Sequence, residues 1–248
     1  MIRSVVKQIF KRLGFCVRRD VQIAEWYESD GLRSVHNHAF LDDPAYQAAL
    51  ARAIQADRSL GFMTWRLHVV LWAAKHALKL EGDFVECGVN RGFFSSAVMT
   101  YLDWNQQNRN FFLFDTFQGI ATELLSAEEV EVGRLMNNEQ YTECYERTAA
   151  NFAEFDRVRL IRGTVPTSLN EVDIQQVSYL SIDMNCAQAD IAAFEHFWPK
   201  LSVGAMVVID DYAYHGFEST YQAFNRLAAQ RNIQILSLPT GQGVIVKA

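Results

Sequence analysis

The sequence predicts an α/β protein built as a three-layer, doubly wound sheet, and three features predict it. After Gly82, strand-length apolar runs alternate with helix-length segments across short connections, the pattern of a largely parallel sheet covered on both faces. At the start of that region, Gly82-Asp83-Phe84-Val85-Glu86-Cys87-Gly88-Val89-Asn90-Arg91-Gly92 leads from an apolar strand carrying an acid, through a glycine turn, into a helix. Such a turn opens a ligand pocket, because glycine admits close backbone approach and a helix N-terminus offers unpaired N–H groups. At the far end, two short strand candidates flank Pro239-Thr240-Gly241, too close together for anything but an antiparallel hairpin.

Length and composition bound the rest. The 248 residues suit one such domain with an N-terminal extension, and with half of them hydrophobic and only four prolines a disordered chain is excluded. The formal charge is −6, but Arg3, Lys7, Lys11, Arg12, Arg18 and Arg19 carry no acid among them, leaving everything after residue 19 at −12. An acidic body excludes a general nucleic-acid surface. Cys16, Cys87, Cys144 and Cys186 are far apart and lack His at finger spacing, so neither a zinc site nor a disulfide framework is expected. Reduced thiols and a cytoplasmic location follow. No apolar run reaches bilayer length, and Lys7, Lys11 and Arg12 interrupt a signal-peptide core.

In chain order, residues 2–13 place Ile2, Val5, Val6, Ile9, Phe10 and Leu13 on one face of a basic amphipathic helix. It packs on its own domain, or docks residues 1–19 on an anionic membrane or a partner subunit. His36 and His38, in residues 35–40, are surface-loop histidines or a base folded over the pocket. Asp43-Pro44 reads as an N-cap and first-turn proline opening a helix through Tyr46, Leu50 and Ile54. Residues 63–80 are apolar nearly all round and form a buried helix against the sheet, in which His68 and His76 are satisfied polar groups. Strands are expected at 84–89, 111–115, 158–162, 177–183 and 205–210, and helices at 94–103, 141–152, 189–197 and 219–229. Two strands, 233–237 and 243–246, complete seven. Residues 122–139, rich in Glu, are a lid beside the site or a plain surface helix.

Three acids carry the strongest chemical signal. The fourth and fifth strands of such a sheet are adjacent, so Asp183, Asp210 and Asp211 meet at one carboxyl edge. Close carboxylates repel unless a cation sits among them, and an all-oxygen set suits magnesium or another hard divalent ion; the alternative is that Asp210 and Asp211 cap a loop and Asp183 binds water.

Taken in order, GDFVECGVNRG, LFDTFQG, RGTVPTSL, LSIDMN and VVIDDY resemble the motifs of the macrocin O-methyltransferase (TylF-like) family, over roughly residues 60 to 248. The resemblance implies a Rossmann-like class I methyltransferase sheet of seven strands, the last antiparallel, with an N-terminal helical extension over 1–62 and a catalytic domain over 63–248. It implies S-adenosylmethionine as cofactor, with Glu86, Gly88 and Gly92 at its methionine end, Asp115 on the ribose hydroxyls or capping its own turn, and Gly163 and Thr164 beside the adenine. Asp183 is then catalytic base as well as metal ligand, and Tyr212, Tyr214 and His215 either face a small-molecule acceptor or pack. The expected reaction is methyl transfer to a hydroxyl of a sugar or natural-product-like molecule by a homo-oligomeric enzyme, against the alternative of a cofactor-binding scaffold or membrane-associated partner that kept the fold. Where sugar-modifying members carry a second acid and an aromatic after the first acid of the fourth-strand block, this chain has Asn185, Cys186 and Ala187.

Overall fold

The structure, a computed structural model, describes residues 26–134 and 141–248. The basic helix expected at 2–13, Cys16, and the end of the 122–139 segment lie outside the described residues. The first described element is a hairpin, β1 (Tyr27–Ser29) and β2 (Leu32–Ser34), paired antiparallel. It turns through Asp30 and Gly31, both with positive φ (53° and 69°), which is the Asp-Gly signature of a tight hairpin turn. In the described part of the extension expected as helical, a strand hairpin thus precedes the helix, and that dipeptide was the signal for it.

Helix α1 (Pro44–Ala56) starts as expected, its Asp43 carboxylate accepting from the Ala45 and Tyr46 N–H groups at 2.8 and 2.9 Å. It buries Tyr46, Ala49, Ala53 and Ala56, one face at helical spacing. Helix α2 (Thr64–Ala77) buries Leu67, Val70, Leu71, Ala73, Ala74 and Ala77 together with one charged residue, Arg66. His68 stacks on Phe40 at 4.1 Å, and burial lowers its pKa, in keeping with a packed polar group.

Seven strands make the main sheet: β3 (Asp83–Cys87), β4 (Phe111–Asp115), β5 (Val158–Arg162), β6 (Val177–Ile182), β7 (Leu201–Ile209), β8 (Leu236–Ser237) and β9 (Gly243–Val246). Their order is β5-β4-β3-β6-β7-β9-β8. The first five run parallel, while β9 lies antiparallel to both β7 and β8, so the terminal reversed hairpin is present. Successive connections leave β3 in one direction to β4 and β5 and then return to β6 on its other side. That reversal parts the loops above β3 and β6 and leaves a crevice at their carboxyl ends.

The register sorts side chains into two cores. Phe84, Tyr179 and Met206 line up across β3, β6 and β7 on the face covered by α1, α2 and α3 (Phe93–Tyr101). Val85, Leu180 and Val207 line up on the other, under α6 (Ala187–Phe197) and α7 (Glu218–Arg231). Between these in sequence come α4 (Ala127–Glu131) and α5 (Tyr145–Phe152). The last begins four residues later than its pattern suggests, because Cys144 N–H bonds the Phe117 carbonyl at 2.9 Å and holds the preceding residues out of the helix. Likewise β8 is shorter than expected, since Ile233 N–H still bonds Ala228 O at the end of α7.

Phe84 is fully buried among Trp104, Phe111 and Tyr179, with ring centroids 5.2, 5.6 and 5.1 Å away. Truncating it leaves a cavity between three rigid rings that cannot collapse. Phe84→Ala is therefore expected to lower the unfolding free energy by about 3–5 kcal/mol in urea titration, with an unchanged denaturant slope.

Candidate active site

A cavity of about 420 Å³ opens in the crevice. The parallel ladder runs one residue beyond the strands, with Gly88 N–H on Phe114 O at 2.8 Å, Asp183 N–H on Cys87 O at 2.8 Å and Asp210 N–H on Ile182 O at 3.0 Å. The first residues after β3, β6 and β7 are thereby fixed in a row with Asp115 at the end of β4. Gly88 is obligatory there: with φ 91°, an added Cβ would stand 1.9 Å from the Asp183 carbonyl oxygen. The same side-chain-free position lets the loop sit close over β6 and leaves Gly88 lining the cavity.

Asp115 organises the loop above it. Its Oδ2 accepts from the N–H groups of Val89 and Asn90 at 2.6 and 2.7 Å, and its Oδ1 from Phe117 N–H at 2.5 Å, an Asx-type turn. The turn cap read for this residue is present, extended by a clamp on the glycine loop, and Asp115 also lines the cavity. Burial raises its pKa and these backbone donors work against that rise.

Five carboxyl groups line the cavity: Glu86, Asp115, Asp183, Asp210 and Asp211. Among the described residues, Arg66 is the one basic side chain that lines it with them. Arg66 is 4% exposed; its main-chain N–H and Nε donate to the two oxygens of Asp30 at 2.7 and 2.8 Å, and its Nη1 to Asp210 Oδ2 at 3.0 Å. Burial opposes the guanidinium charge, but Asp210 and Asp30 outweigh it and raise the pKa. The other oxygen of Asp210 accepts from Gln242 Nε2 at 3.1 Å, on the turn before β9.

The remaining acids are undercompensated. Glu86 is held by the Ser95 hydroxyl, and burial first, then Asp115 and Asp210, push its pKa well above the usual range. Asp183 receives one bond, from Asn185 Nδ2 at 3.1 Å, and burial followed by Asp210, Asp211 and Glu86 drives it up strongly. Asp211 is driven up by burial, Asp210 and Asp190, with no hydrogen-bond partner among the described residues. Asp190, capping the loop through Met184 N–H at 3.2 Å, is raised to about 7, chiefly by burial.

The structure thus gathers Glu86, Gly88, Asp115, Gly163, Asp183, Asp210, Asp211 and Tyr214 around one cavity. Several expected site residues are elsewhere. Gly92 caps α3 at φ 86° with Phe152 packed where a side chain would go, and Thr164 is not in the lining. Tyr212 is in the core between Tyr221 and Gly243, its hydroxyl on Asn225 at 3.2 Å. His215 stays outside the lining; His36 is exposed, and His38 packs its ring 5.9 Å from Tyr27. For Asp183, Asp210 and Asp211, no group of three or more His, Cys, Asp or Glu arranged to hold a metal is found among the described residues, so the structure lends a divalent ion there no support. Asp210 is already ion-paired with Arg66, which it shares with Asp30, so a guanidinium meets part of the three acids' need for a cation.

Sequence reasoning missed Arg66, Asp30, Tyr141 and Arg134. A lone Arg inside an apolar helix was the signal for Arg66, because a buried charge needs a buried partner. Tyr141 lines the cavity from the loop before α5. Arg134 lies 3.2 Å over the Phe217 ring and donates to Gly216 O at 2.6 Å, bracing a second cavity wall. The 122–134 part of the expected lid is anchored, its Glu129 closing a capping box with Ser126 and accepting from Ala187 N–H at 2.8 Å.

Residues 66–236 match the sequence profile of the family described as macrocin O-methyltransferase (TylF). Among curated proteins, the chain is 25% identical over 162 residues to mycinamicin III 3''-O-methyltransferase of Micromonospora griseorubida, covering 59% of this chain and 62% of that protein. It is 28% identical over 143 residues to a rhamnosyl-tetracenomycin-C 4'-O-methyltransferase of Streptomyces olivaceus, covering 54% of each. The match thus spans between about half and three fifths of the length of these relatives. Of solved structures, the O-methyltransferase NovP superposes with a TM-score of 0.66 at 21% identity, over 76% of this chain and 81% of that one. The calicheamicin methyltransferase CalS11 does so at 0.55 and 16%, over 83% and 93%. These likenesses show the class I methyltransferase fold. Among the described residues no helix is long and apolar enough to cross a membrane.

Because the space beside Gly88 is filled by the backbone of β6, Gly88→Ala is expected to cost about 3 kcal/mol or more of stability. Thermal unfolding checks it; a melting temperature within a degree or two of the parent would show that the loop does not rest on Asp183.

Proposed function

The chain belongs to the macrocin O-methyltransferase family, and from that premise we propose that it transfers a methyl group from S-adenosylmethionine to a hydroxyl of a small, sugar-bearing or natural-product-like acceptor. The observation that carries this reading is the set of acids around the cavity. Five carboxyl groups against one guanidinium favour a ligand bearing an ammonium and a sulfonium, whose positive charges stabilise the ionised forms that burial disfavours. Residues 63–248 then form the catalytic unit and 1–62 its N-terminal extension, of which Leu60 and Phe62 line the cavity.

The bound cofactor supplies the methyl group as a sulfonium whose leaving group is a neutral thioether. The residues of this chain have three tasks. Glu86 faces the ammonium end of the cofactor, the contact that restores its ionised form. Asp115 fixes the glycine loop at the height at which its backbone can be approached, which makes its contribution to ribose recognition indirect. Asp183, at the end of β6, takes the proton of the acceptor hydroxyl as the oxygen attacks, and Asn185 holds one of its oxygens so that the other is left for that proton. Tyr214 and Phe217 furnish the wall against which the acceptor lies.

Cation assistance is the version that the three acids suggested, and it stands apart from this reading because the donor set around Asp210 is already occupied. A calorimetric titration of metal-stripped protein with S-adenosylhomocysteine, alone and with magnesium, separates the two: binding of equal affinity in both supports the metal-independent pocket. No binding in either would leave the scaffold as the better account.

Two outcomes follow for the site. Asp183→Asn should lower kcat by about 100- to 10,000-fold while S-adenosylhomocysteine affinity changes less than about threefold; equal losses in both would remove Asp183 from the role of base. Ligand binding should also release a proton, because Glu86 has a raised pKa in the free protein and must ionise to meet an ammonium. Affinity therefore rises with pH up to the raised pKa of Glu86 and falls below it. Calorimetry in two buffers of different ionisation enthalpy reads that proton directly, and Glu86→Gln should abolish the difference.

A further inference from the structure

The hairpin at the start of the described chain makes three polar contacts with one short segment. Tyr27 Oη lies 2.7 Å from Thr64 Oγ1, Ser29 Oγ donates to Phe62 O at 2.6 Å, and Asp30 accepts from Arg66 twice. Phe62, Met63 and Arg66 from that segment line the cavity. The hairpin thus lies behind a wall of the site, and its one buried charge, Asp30, is spent on the cavity's one guanidinium.

Arg66 is bound on both sides by acids, Asp30 from the hairpin and Asp210 from the end of β7. A guanidinium so committed carries little net positive field into the space in front of it, because two carboxylates offset its charge. Glu86, Asp183 and Asp211 are then left without a compensating cation of their own. Arg134 acts on Asp211 as well, less than Arg66 does, and its side chain is taken up by the Phe217 ring and the Gly216 carbonyl.

We infer that Asp30 is a positioning residue for the cofactor site: acting through Arg66, it cancels the guanidinium's field on the cavity and so keeps the pocket selective for a cationic sulfonium. This rests on the methyltransferase reading and deepens it. S-adenosylmethionine and S-adenosylhomocysteine share the adenosine, the ammonium and the carboxylate, and differ at the sulfur by one methyl group and one positive charge. Their affinity ratio is consequently a probe of charge at the reacting centre, whereas a role in packing alone would move both affinities together.

The experiment compares the calorimetric affinities of both ligands for the parent chain and for Asp30→Asn, Asp30→Gly and Asp30→Glu. Asn tolerates the left-handed backbone at residue 30 almost as well as Asp does, and Gly adopts it freely, so neither variant strains the turn, and the Gly variant stands in if the Asn variant does not unfold cooperatively. Both neutral variants are expected to weaken S-adenosylmethionine relative to S-adenosylhomocysteine by about three- to tenfold, the order of one partly screened unit charge. Asp30→Glu, which retains the charge, should hold the ratio within about twofold of the parent. An unchanged ratio in the neutral variants, or equal losses for both ligands, would overturn the assignment and leave Asp30 a packing residue. Failure of the parent chain to bind either ligand is a different result, since it removes the methyltransferase reading and this inference with it.

Discussion

Carboxylates placed at the ends of adjacent buried strands repel one another, and the central arrangement of this protein is the single guanidinium that makes their proximity tolerable. Arg66 lies between Asp30 and Asp210, with Gln242 on the remaining oxygen of Asp210. Removing a buried charge from water costs several kcal/mol unless a partner and hydrogen bonds replace the lost hydration. Four elements around the cavity meet that requirement together. The hairpin contributes Asp30, α2 contributes Arg66, β7 ends on Asp210, and the terminal hairpin brings Gln242. The antiparallel end of the sheet is therefore more than a fold signature, because it delivers one of the hydrogen bonds that stabilise the site.

A second constraint is steric. Two chains meet at the carboxyl edge where the connections part to either side of β3, and the loop after that strand has no room for a side chain at Gly88. Asp115 then ties the loop to β4 through two backbone N–H groups and ties its own turn through a third. Close packing of the loop and an accessible backbone above the cavity are thus one arrangement. The same glycine serves the fold and the pocket, so its presence in the sequence does not by itself separate a ligand contact from a packing need.

Much of this was legible in the chain. The apolar runs placed the five parallel strands, the central ones continuous in hydrophobic residues because both faces are buried, and the Pro239-Thr240-Gly241 turn placed the last two. Asp43-Pro44 placed the start of α1, since both residues act on the first turn alone. The convergence of Asp183, Asp210 and Asp211 followed from strand adjacency. The Asp-Gly turn of the first hairpin was equally readable and was passed over, as was the lone Arg in an apolar helix. For Tyr212, His215, His36 and His38 the sequence left two readings open, because nearness in sequence to the site does not say to which side of the backbone a loop residue points.

By itself, the sequence determined the layer architecture, the reversed hairpin at its end, and the set of acids at the carboxyl edge, because these depend on period, spacing and the short reach of the connections. Only the tertiary structure decided what neutralises those acids. Asp30, Arg66, Asp210 and Gln242 come from four segments spread over more than two hundred positions, and no local pattern links them. Their pairing is set by burial. Once the helix and the two hairpins close over the sheet edge, each charge must find its partner among whatever the fold has brought within hydrogen-bonding distance, and that distance is a property of the packed chain alone.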